Sequence, residues 1–93
     1  MSTNTLLFRV EPEDLLASLA EARAALERAD GAELLLDLTA VRRIDAAGVV
    51  ALGDIARAAA ERKVRLRARG VSVAVHKVLR LGGGDDGIAF MND

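Results

Sequence analysis

The chain has no cysteine, no tryptophan and no tyrosine, and its only phenylalanines are Phe8 and Phe90. Without cysteine it can form no disulfide framework, thiolate nucleophile or zinc–thiolate cluster. Because aromatic side chains are almost absent, the core must be aliphatic, and a hydrophobic content of 52% is enough to build one. A chain of 93 residues is expected to hold a single core, and therefore one domain spanning residues 1–93.

Long apolar runs and a strong net charge are also missing. No run approaches the roughly 18 apolar residues that a membrane helix needs, so we expect no insertion into a membrane. Residues 1–5 carry no basic side chain and lead into no signal-peptide hydrophobic region, which predicts a cytoplasmic protein. A formal net charge of −1 gives no overall attraction to nucleic acid or to an anionic membrane.

The sequence does contain alternating strand and helix patterns. Apolar residues at 6–10 predict a short first strand, which Glu11-Pro12 ends. Pro12 is well placed to open a helix, with Glu13 and Asp14 in its first turn. From Asp14 the apolar residues recur at steps typical of one helix face: Leu15, Leu19, Ala22 and Leu26. Asp30-Gly31 is expected to stop this helix. Residues 34–36 are uniformly apolar, as in a central strand.

The second half of the chain repeats the alternation. Asp45 is placed to cap a helix over residues 46–62, and residues 64–69 alternate between apolar side chains and arginine, which predicts a strand with one face in water. Ser72 is expected to cap a third helix that ends at Leu81, with inward positions at Val75, Val78 and Leu79. Residues 88–90 either add a last strand or pack on the core.

This order predicts an α/β fold with a parallel or mixed sheet and right-handed crossovers between strands. The expected architecture is a small domain with a mixed sheet of about four strands and helices packed mainly on one face.

The helix start at Asp45-Ala46-Ala47-Gly48 is the first candidate site. By itself it reads as an N-cap followed by small helix-forming residues, and this interpretation stays open. A helix N-terminus also offers free N–H groups and a positive dipole, so it tolerates a phosphate well.

Residues 33–81 resemble the STAS family, which includes the bacterial anti-sigma factor antagonists. The family's hallmark is an apolar strand ending in Asp-Leu, here Asp37-Leu38, followed by Asp-Ser-Ser/Thr-Gly at the start of the next helix. In this chain Ala46 and Ala47 occupy the places of the two hydroxyl residues. Residues 72–79 are also similar to the family's last core helix, which typically opens with Ser-Pro and carries a Val-Leu pair near its end.

The N-terminal part departs from the family pattern. Members usually have two early strands and a Gly-x-Leu-Asp signature, where this chain has Val10-Glu11-Pro12-Glu13. Only one early strand fits the available length, so an edge strand would be exposed. Such an edge invites homodimerisation or pairing with a partner strand.

The resemblance implies a STAS-like protein-interaction module that is not an enzyme. In the anti-sigma antagonists this helix N-terminus docks on a kinase-like regulator, and a serine at the position of Ala47 accepts the phosphate that breaks the complex. The resemblance therefore implies partner binding without that phosphorylation, through Asp45, Ala46, Ala47, Gly48 and Val49. Gly48 would let the partner's backbone approach closely.

A second use of the fold is a MlaB-like cytoplasmic subunit that braces the ATPase of an ABC-type lipid transporter. Scaffolding in chemotaxis or stressosome-type assemblies is a third use. The missing hydroxyl at Ala47 counts against a phosphorylation-switched antagonist, but it does not count against binding.

Arg65, Arg67 and Arg69 form the one basic concentration, directly after Arg62 and Lys63. Such a stripe is typical of a solvated face or a protected sheet edge. No aromatic residue lies nearby to stack bases, so the stripe does not predict binding of nucleic acid. An acidic protein partner is its alternative use.

The remaining polar motifs predict no chemistry. Residues 82–87 lack the Gly-Lys-Ser/Thr ending of a phosphate-binding loop, and Asp85-Asp86 has no third metal ligand nearby in sequence. The single histidine, His76, is expected at the rim of the third helix, without a motif-placed nucleophile or paired carboxylate. We therefore predict no cofactor, no metal site and no catalysis.

Overall fold

The computed structural model describes residues 5–28, 33–82 and 87–91. Strands and helices alternate in the order β1 (Thr5–Arg9), α1 (Leu15–Ala25), β2 (Glu33–Asp37), α2 (Ala46–Glu61), β3 (Arg65–Arg69), α3 (Val73–Gly82) and β4 (Ala89–Phe90). A short 3-10 helix, Leu26–Arg28, follows α1 directly. The predicted stop at Asp30-Gly31 and the carboxylates of Asp85 and Asp86 lie outside the described residues.

The strands form one four-stranded sheet in the order β1-β2-β3-β4. The small α/β fold is confirmed, and residues 34–36 lie in a central strand as predicted. All described strand pairs are parallel, so of the two predicted sheet types the parallel one is formed and the expected mixed sheet is not. The reason is that a helix connects each strand to the next, and such crossovers return the chain in the same direction.

The helices pack on one face of the sheet, as predicted. On that face Leu34, Leu36, Leu66 and Ala68 are buried in one cluster with apolar residues of the helices. The alternate residues of the strands point to the opposite face, where Leu7 stays 58% exposed. The predicted alternation over residues 64–69 is therefore confirmed: its apolar positions are buried and its arginines face outward.

The predicted helix starts at Asp45 and Ser72 are confirmed by their caps, whereas the first helix begins only at Leu15, so Asp14 is its cap rather than part of its first turn. Asp14, Asp45 and Ser72 each accept a hydrogen bond from the N–H three residues later, at 3.4, 2.9 and 3.1 Å. These bonds satisfy N–H groups that have no partner within the helix. Each helix therefore begins where a short polar side chain can replace the missing backbone acceptor.

The third helix departs from prediction at one position. Val75 and Leu79 are fully buried, but Val78 is 36% exposed rather than inward. Val78 lies about 100° around the helix axis from Leu79, and α3 buries only a narrow stripe. Of the two alternatives for residues 88–90, the strand is formed, since Ala89 and Phe90 pair with Arg67 and Ala68 of β3.

Candidate functional site

The predicted docking residues lie at the start of α2, which a hydrogen-bonded cap holds in place. Asp45 has an extended backbone, and its carboxylate accepts the N–H of Gly48 at 2.9 Å. Its carbonyl accepts the N–H of Val49 at 3.0 Å. The carboxylate therefore lies at the positive end of the helix dipole and makes its hydrogen bond within the helix itself.

Three of the five predicted contact residues are on the surface. Asp45, Ala46 and Ala47 are exposed, whereas Gly48 and Val49 are buried beneath them. The exposed pair of alanines presents a first helical turn without hydroxyl groups and without bulky side chains. Val50, which the sequence analysis did not include, is 64% exposed beside them.

Gly48 also has a role in packing within the protein, which the sequence did not predict. A Cβ atom at this position would lie 2.6 Å from Ile44 Cγ1 and 3.2 Å from Leu15 Cδ2. Side chains cannot share that space, so glycine is what lets the first turn of α2 pack directly on Ile44 and on the start of α1. The close approach that Gly48 permits is made within the protein.

Two cavities flank the start of α2. On one side, residues 12–16 and 43–45 line a space of about 560 Å³ between the starts of α1 and α2. On the other side lies a space of about 420 Å³, which we call the α2–α3 groove; it is lined by Ala46, Val49, Val50, Val78, Leu81 and Gly82. One feature of the sequence could have indicated this groove: Val50 and Leu81 are apolar residues at positions of α2 and α3 where the helical periodicity places side chains outward.

The predicted secondary basic face, Arg65, Arg67 and Arg69, lies on the sheet face opposite the helices. Only Arg65 is fully on the surface, since the side chains of Arg67 and Arg69 are 35% and 41% exposed. Arg67 Nη1 lies 3.4 Å from Glu33 Oε2, and Arg69 Nη2 lies 3.3 Å from Asp37 Oδ2. These pairs interrupt the stripe, so it is not a continuous positive surface.

Among the residues that the structure describes, Asp37 is the titratable group whose pKa is clearly shifted. The hydroxyl and the backbone N–H of Thr39 both donate to its Oδ1, and these bonds hold the pKa of Asp37 below its ordinary value. Arg69 adds a further lowering of the pKa, while burial opposes it. Thr39 in turn packs against Gly70, whose positive φ of 69° and lack of a Cβ leave room for the threonine side chain.

In the described part of the chain, the remaining polar candidates bring no reactive group together. His76 is half-buried, and its ring packs on Phe90 with the centroids 4.7 Å apart. Within residues 5–28, 33–82 and 87–91, no group of three His, Asp or Glu side chains is arranged to hold a metal ion. Among the helices of this same part of the chain, none is both long and apolar enough to cross a membrane.

These features define a small parallel α/β domain that exposes the start of its second helix between two cavities. The family model described as "Mlab, STAS domain" matches residues 11–91. The match covers most of the chain, so the protein belongs to the STAS family, and the resemblance inferred from residues 33–81 is confirmed. No curated protein matches the chain. STAS domains generally mediate protein–protein interactions and are generally non-catalytic.

Proposed function

We propose that this protein is a non-catalytic interaction subunit that binds a regulatory protein through the start of α2, without a phosphorylation switch at that surface. The observation that carries the proposal is the exposure of Ala46 and Ala47 in the first turn of the helix. Small side chains let a partner approach the free N–H groups and the positive end of the dipole. Neither residue has an oxygen that could accept a phosphate.

The local packing supports a preformed docking surface. Gly48 and Val49 are buried, and the cap at Asp45 fixes the first turn without help from a partner. A surface that is already ordered loses little conformational entropy when a partner binds. The start of α2 therefore has the rigidity that a constitutive interface needs.

Two classes of partner fit this role. The first is an anti-sigma kinase-like regulator, which would place the protein in bacterial signalling and regulation of transcription. The second is the ATPase of an ABC-type lipid transporter, which the protein would brace as a cytoplasmic subunit. The description of the matching family model, with its reference to Mlab, is the specific observation that favours keeping this second class. A pull-down from native lysate with mass spectrometry distinguishes them, because the two partners are different classes of protein.

The substitution Ala47→Glu tests the docking surface with the partner so recovered. A carboxylate in the first turn of a helix is favoured by about 0.3–1 kcal/mol, so the melting temperature should be preserved. At a close, desolvated interface the same charge should cost about 2–5 kcal/mol. We expect the affinity for the partner to fall at least tenfold, which corresponds to about 1.4 kcal/mol.

Ala60→Glu is the matched control, because Ala60 is exposed near the other end of α2, about 20 Å from Ala46 along the helix. It should leave the affinity unchanged. If Ala47→Glu preserves both the melting temperature and the affinity, Asp45–Gly48 is only a helix cap.

A further inference from the structure

We propose that two copies of this chain pair through the outer edge of β1, as antiparallel strands related by a two-fold axis at Leu7. β1 pairs with β2 on one side, and no described strand pairs with its other edge. The proposal goes beyond the proposed function and does not depend on it, because this edge contains none of the residues at the start of α2.

The hydrogen bonds between β1 and β2 show which backbone groups of β1 point outward. The N–H of Val10 donates to the carbonyl of Asp37 at 2.9 Å, so the peptide groups of Val10 face β2. Because the bonding direction alternates from one residue to the next along a strand, Leu6 and Phe8 also bond to β2. The residues whose N–H and C=O groups point to the outer edge are Thr5, Leu7 and Arg9. Such a row of outward groups is a template for another strand.

The two edges of the sheet differ in their protection against another chain. β4 has only two residues, and a very short edge strand is one of the ways in which proteins prevent pairing. β1 has five residues, its one charged residue is the last, Arg9, and its central residue, Leu7, is 58% exposed. β1 is therefore the edge that can accept a strand.

An antiparallel pairing centred on Leu7 uses the whole of β1. Leu7 then faces its own counterpart, and Thr5 faces Arg9 at both ends, so that each outward residue exchanges two hydrogen bonds with the residue opposite. Between these pairs, Leu6 faces Phe8 on the helix side of the sheet, where both are already packed against the core. Moving the pairing by two residues in either direction would leave part of β1 unpaired.

The charges on the sheet face opposite the helices are compatible with this register. Arg9 lies beside Asp37 in its own sheet, and in the dimer it would face Thr5 of the second copy. The hydroxyl of Thr5 donates to Glu33 at 3.4 Å, and Glu33 also binds Arg67. The two copies of Arg9 would stand about 14 Å apart. The register thus opposes no like charges across the edge, and it places each Arg9 on the side of a carboxylate.

A second copy is the occupant that this edge fits, because β1 complements itself. Read in the reverse direction against its own sequence, the strand sets apolar side chains opposite apolar ones and arginine opposite threonine. The contact is small, since five residues a side fall short of the roughly 20–30 of a standard interface. We therefore expect a weak dimer, with a dissociation constant of about 1–100 µM.

Antiparallel pairing would also set where the two copies of α2 begin. α2 follows β2, so it starts beyond the carboxyl end of that strand. A two-fold axis through the edge points the carboxyl ends of the two sheets in opposite directions. If Ala46 and Ala47 dock a partner as proposed above, one dimer would hold two partner molecules at opposite ends of a continuous sheet.

The test is disulfide cross-linking through single introduced cysteines, since the chain has none of its own. Leu7→Cys places a thiol opposite its own counterpart, with the Cα atoms about 5.5 Å apart, which is within the range of a disulfide. We expect mild oxidation near the dissociation constant to convert Leu7→Cys to a covalent dimer. Arg9→Cys is the matched control, because Arg9 is exposed on the same strand but lies about 14 Å from its counterpart. It should stay monomeric alone and should cross-link when mixed with Thr5→Cys.

Sedimentation of the protein without introduced cysteines measures the dimer itself, over about 1 µM to 1 mM. Leu7→Asp should raise the dissociation constant at least tenfold, because two carboxylates then face each other. Leu35→Asp is the control for this substitution, since Leu35 is the register neighbour of Leu7 on β2 and lies away from the edge. It should change the dissociation constant less than threefold, and circular dichroism checks that both variants are folded.

The proposal is overturned if the wild type stays monomeric over this range, or if Leu7→Cys cross-links no faster than Arg9→Cys. If Leu35→Asp weakens the dimer as strongly as Leu7→Asp, the copies meet through the sheet face opposite the helices, and the edge pairing is wrong. None of these outcomes depends on a partner protein, so they leave the test of Ala47→Glu unaffected.

Discussion

Arg69 Nη2 lies 3.3 Å from Asp37 Oδ2, at the carboxyl ends of two neighbouring parallel strands. Asp37 is only 6% exposed, although it lies on the sheet face opposite the helices. Its other oxygen accepts from Thr39, and this bond bends the chain just after β2. The Leu38 N–H then binds the carbonyl of Arg69 at 3.0 Å. The family's Asp-Leu signature thus directs the link that leads from the sheet to the start of α2.

The lowered pKa of Asp37 predicts a loss of stability in acid. In the unfolded chain the carboxylate takes up a proton near pH 3.9, whereas in the folded protein it does so only at lower pH. The stabilisation is therefore complete above the unfolded pKa, and it is lost as the pH falls through the folded pKa. Urea unfolding at pH 6 and at pH 3 measures the change.

The variant Asp37→Asn provides the comparison. At pH 6 it should be less stable than the wild type by about 1–2 kcal/mol, the difference between charged and neutral hydrogen bonds. At pH 3 this difference in stability should be smaller, because the carboxyl of Asp37 is then largely protonated in the unfolded wild-type chain, which lowers the free energy of unfolding. If the wild type and Asp37→Asn differ in free energy of unfolding by the same amount at pH 6 and at pH 3, the charge of Asp37 does not stabilise the fold.

The two faces of β2 predict opposite results for neighbouring residues. Leu36 is fully buried, and Leu36→Asp should unfold the domain, since an unpaired buried carboxylate costs several kcal/mol against a total of about 5–15 kcal/mol. Leu35 is half-buried on the other face, and its register partner is Arg67. Leu35→Asp should keep a cooperative melt. Thermal unfolding of both variants, followed by circular dichroism, measures the difference. A Leu36→Asp protein that melts near the wild-type temperature would contradict the central-strand assignment.

Sequence patterns predicted most of this fold because its elements carry local signals. The caps at Asp45 and Ser72 and the alternation around Leu66 depend on residues close in sequence. The direction of strand pairing is not local, so the sequence left a parallel and a mixed sheet open, and the crossovers make a parallel one. Nothing in the sequence near Arg67 shows that it faces Glu33, which is 34 positions away. The groove was not predicted for the same reason, since Val50 and Leu81 come to line one cavity only after folding.

The absence of a phosphorylation switch is a further prediction. Ala46 and Ala47 have no acceptor oxygen, and the nearest hydroxyl before them, on Thr39, donates to the carboxylate of Asp37. A phosphate on Thr39 would place about two negative charges beside that buried carboxylate. Protein isolated from its native cells should therefore carry no phosphate between residues 39 and 48. Intact mass with peptide mapping is the measurement, and stoichiometric phosphate on Thr39 would contradict a constitutive interaction subunit.

Two glycines of α2 should respond in opposite directions to the same substitution. A Cβ at Gly53 meets no atom within 4 Å, so Gly53→Ala should stabilise the protein by about 1 kcal/mol through helix propensity alone. Gly48→Ala gains the same propensity but overlaps Ile44. Forcing an extra methyl into a packed site costs about 1–3 kcal/mol, so the net effect should be destabilising or close to zero. Melting temperatures measure the contrast, because 1 kcal/mol shifts a domain of this size by about 4–8 °C.

Partner affinity measured on the same two variants separates the two roles of Gly48. If Gly48 serves internal packing, Gly48→Ala should lower the melting temperature relative to Gly53→Ala, and any loss of affinity should follow the fraction of unfolded protein. If Gly48→Ala instead gains stability as Gly53→Ala does and still loses the partner, the packing explanation is wrong. The glycine would then be required because the partner's backbone approaches it, as the sequence alone suggested. Gly53→Ala should retain full affinity in either case, since Gly53 lies about 1.4 turns further along the helix.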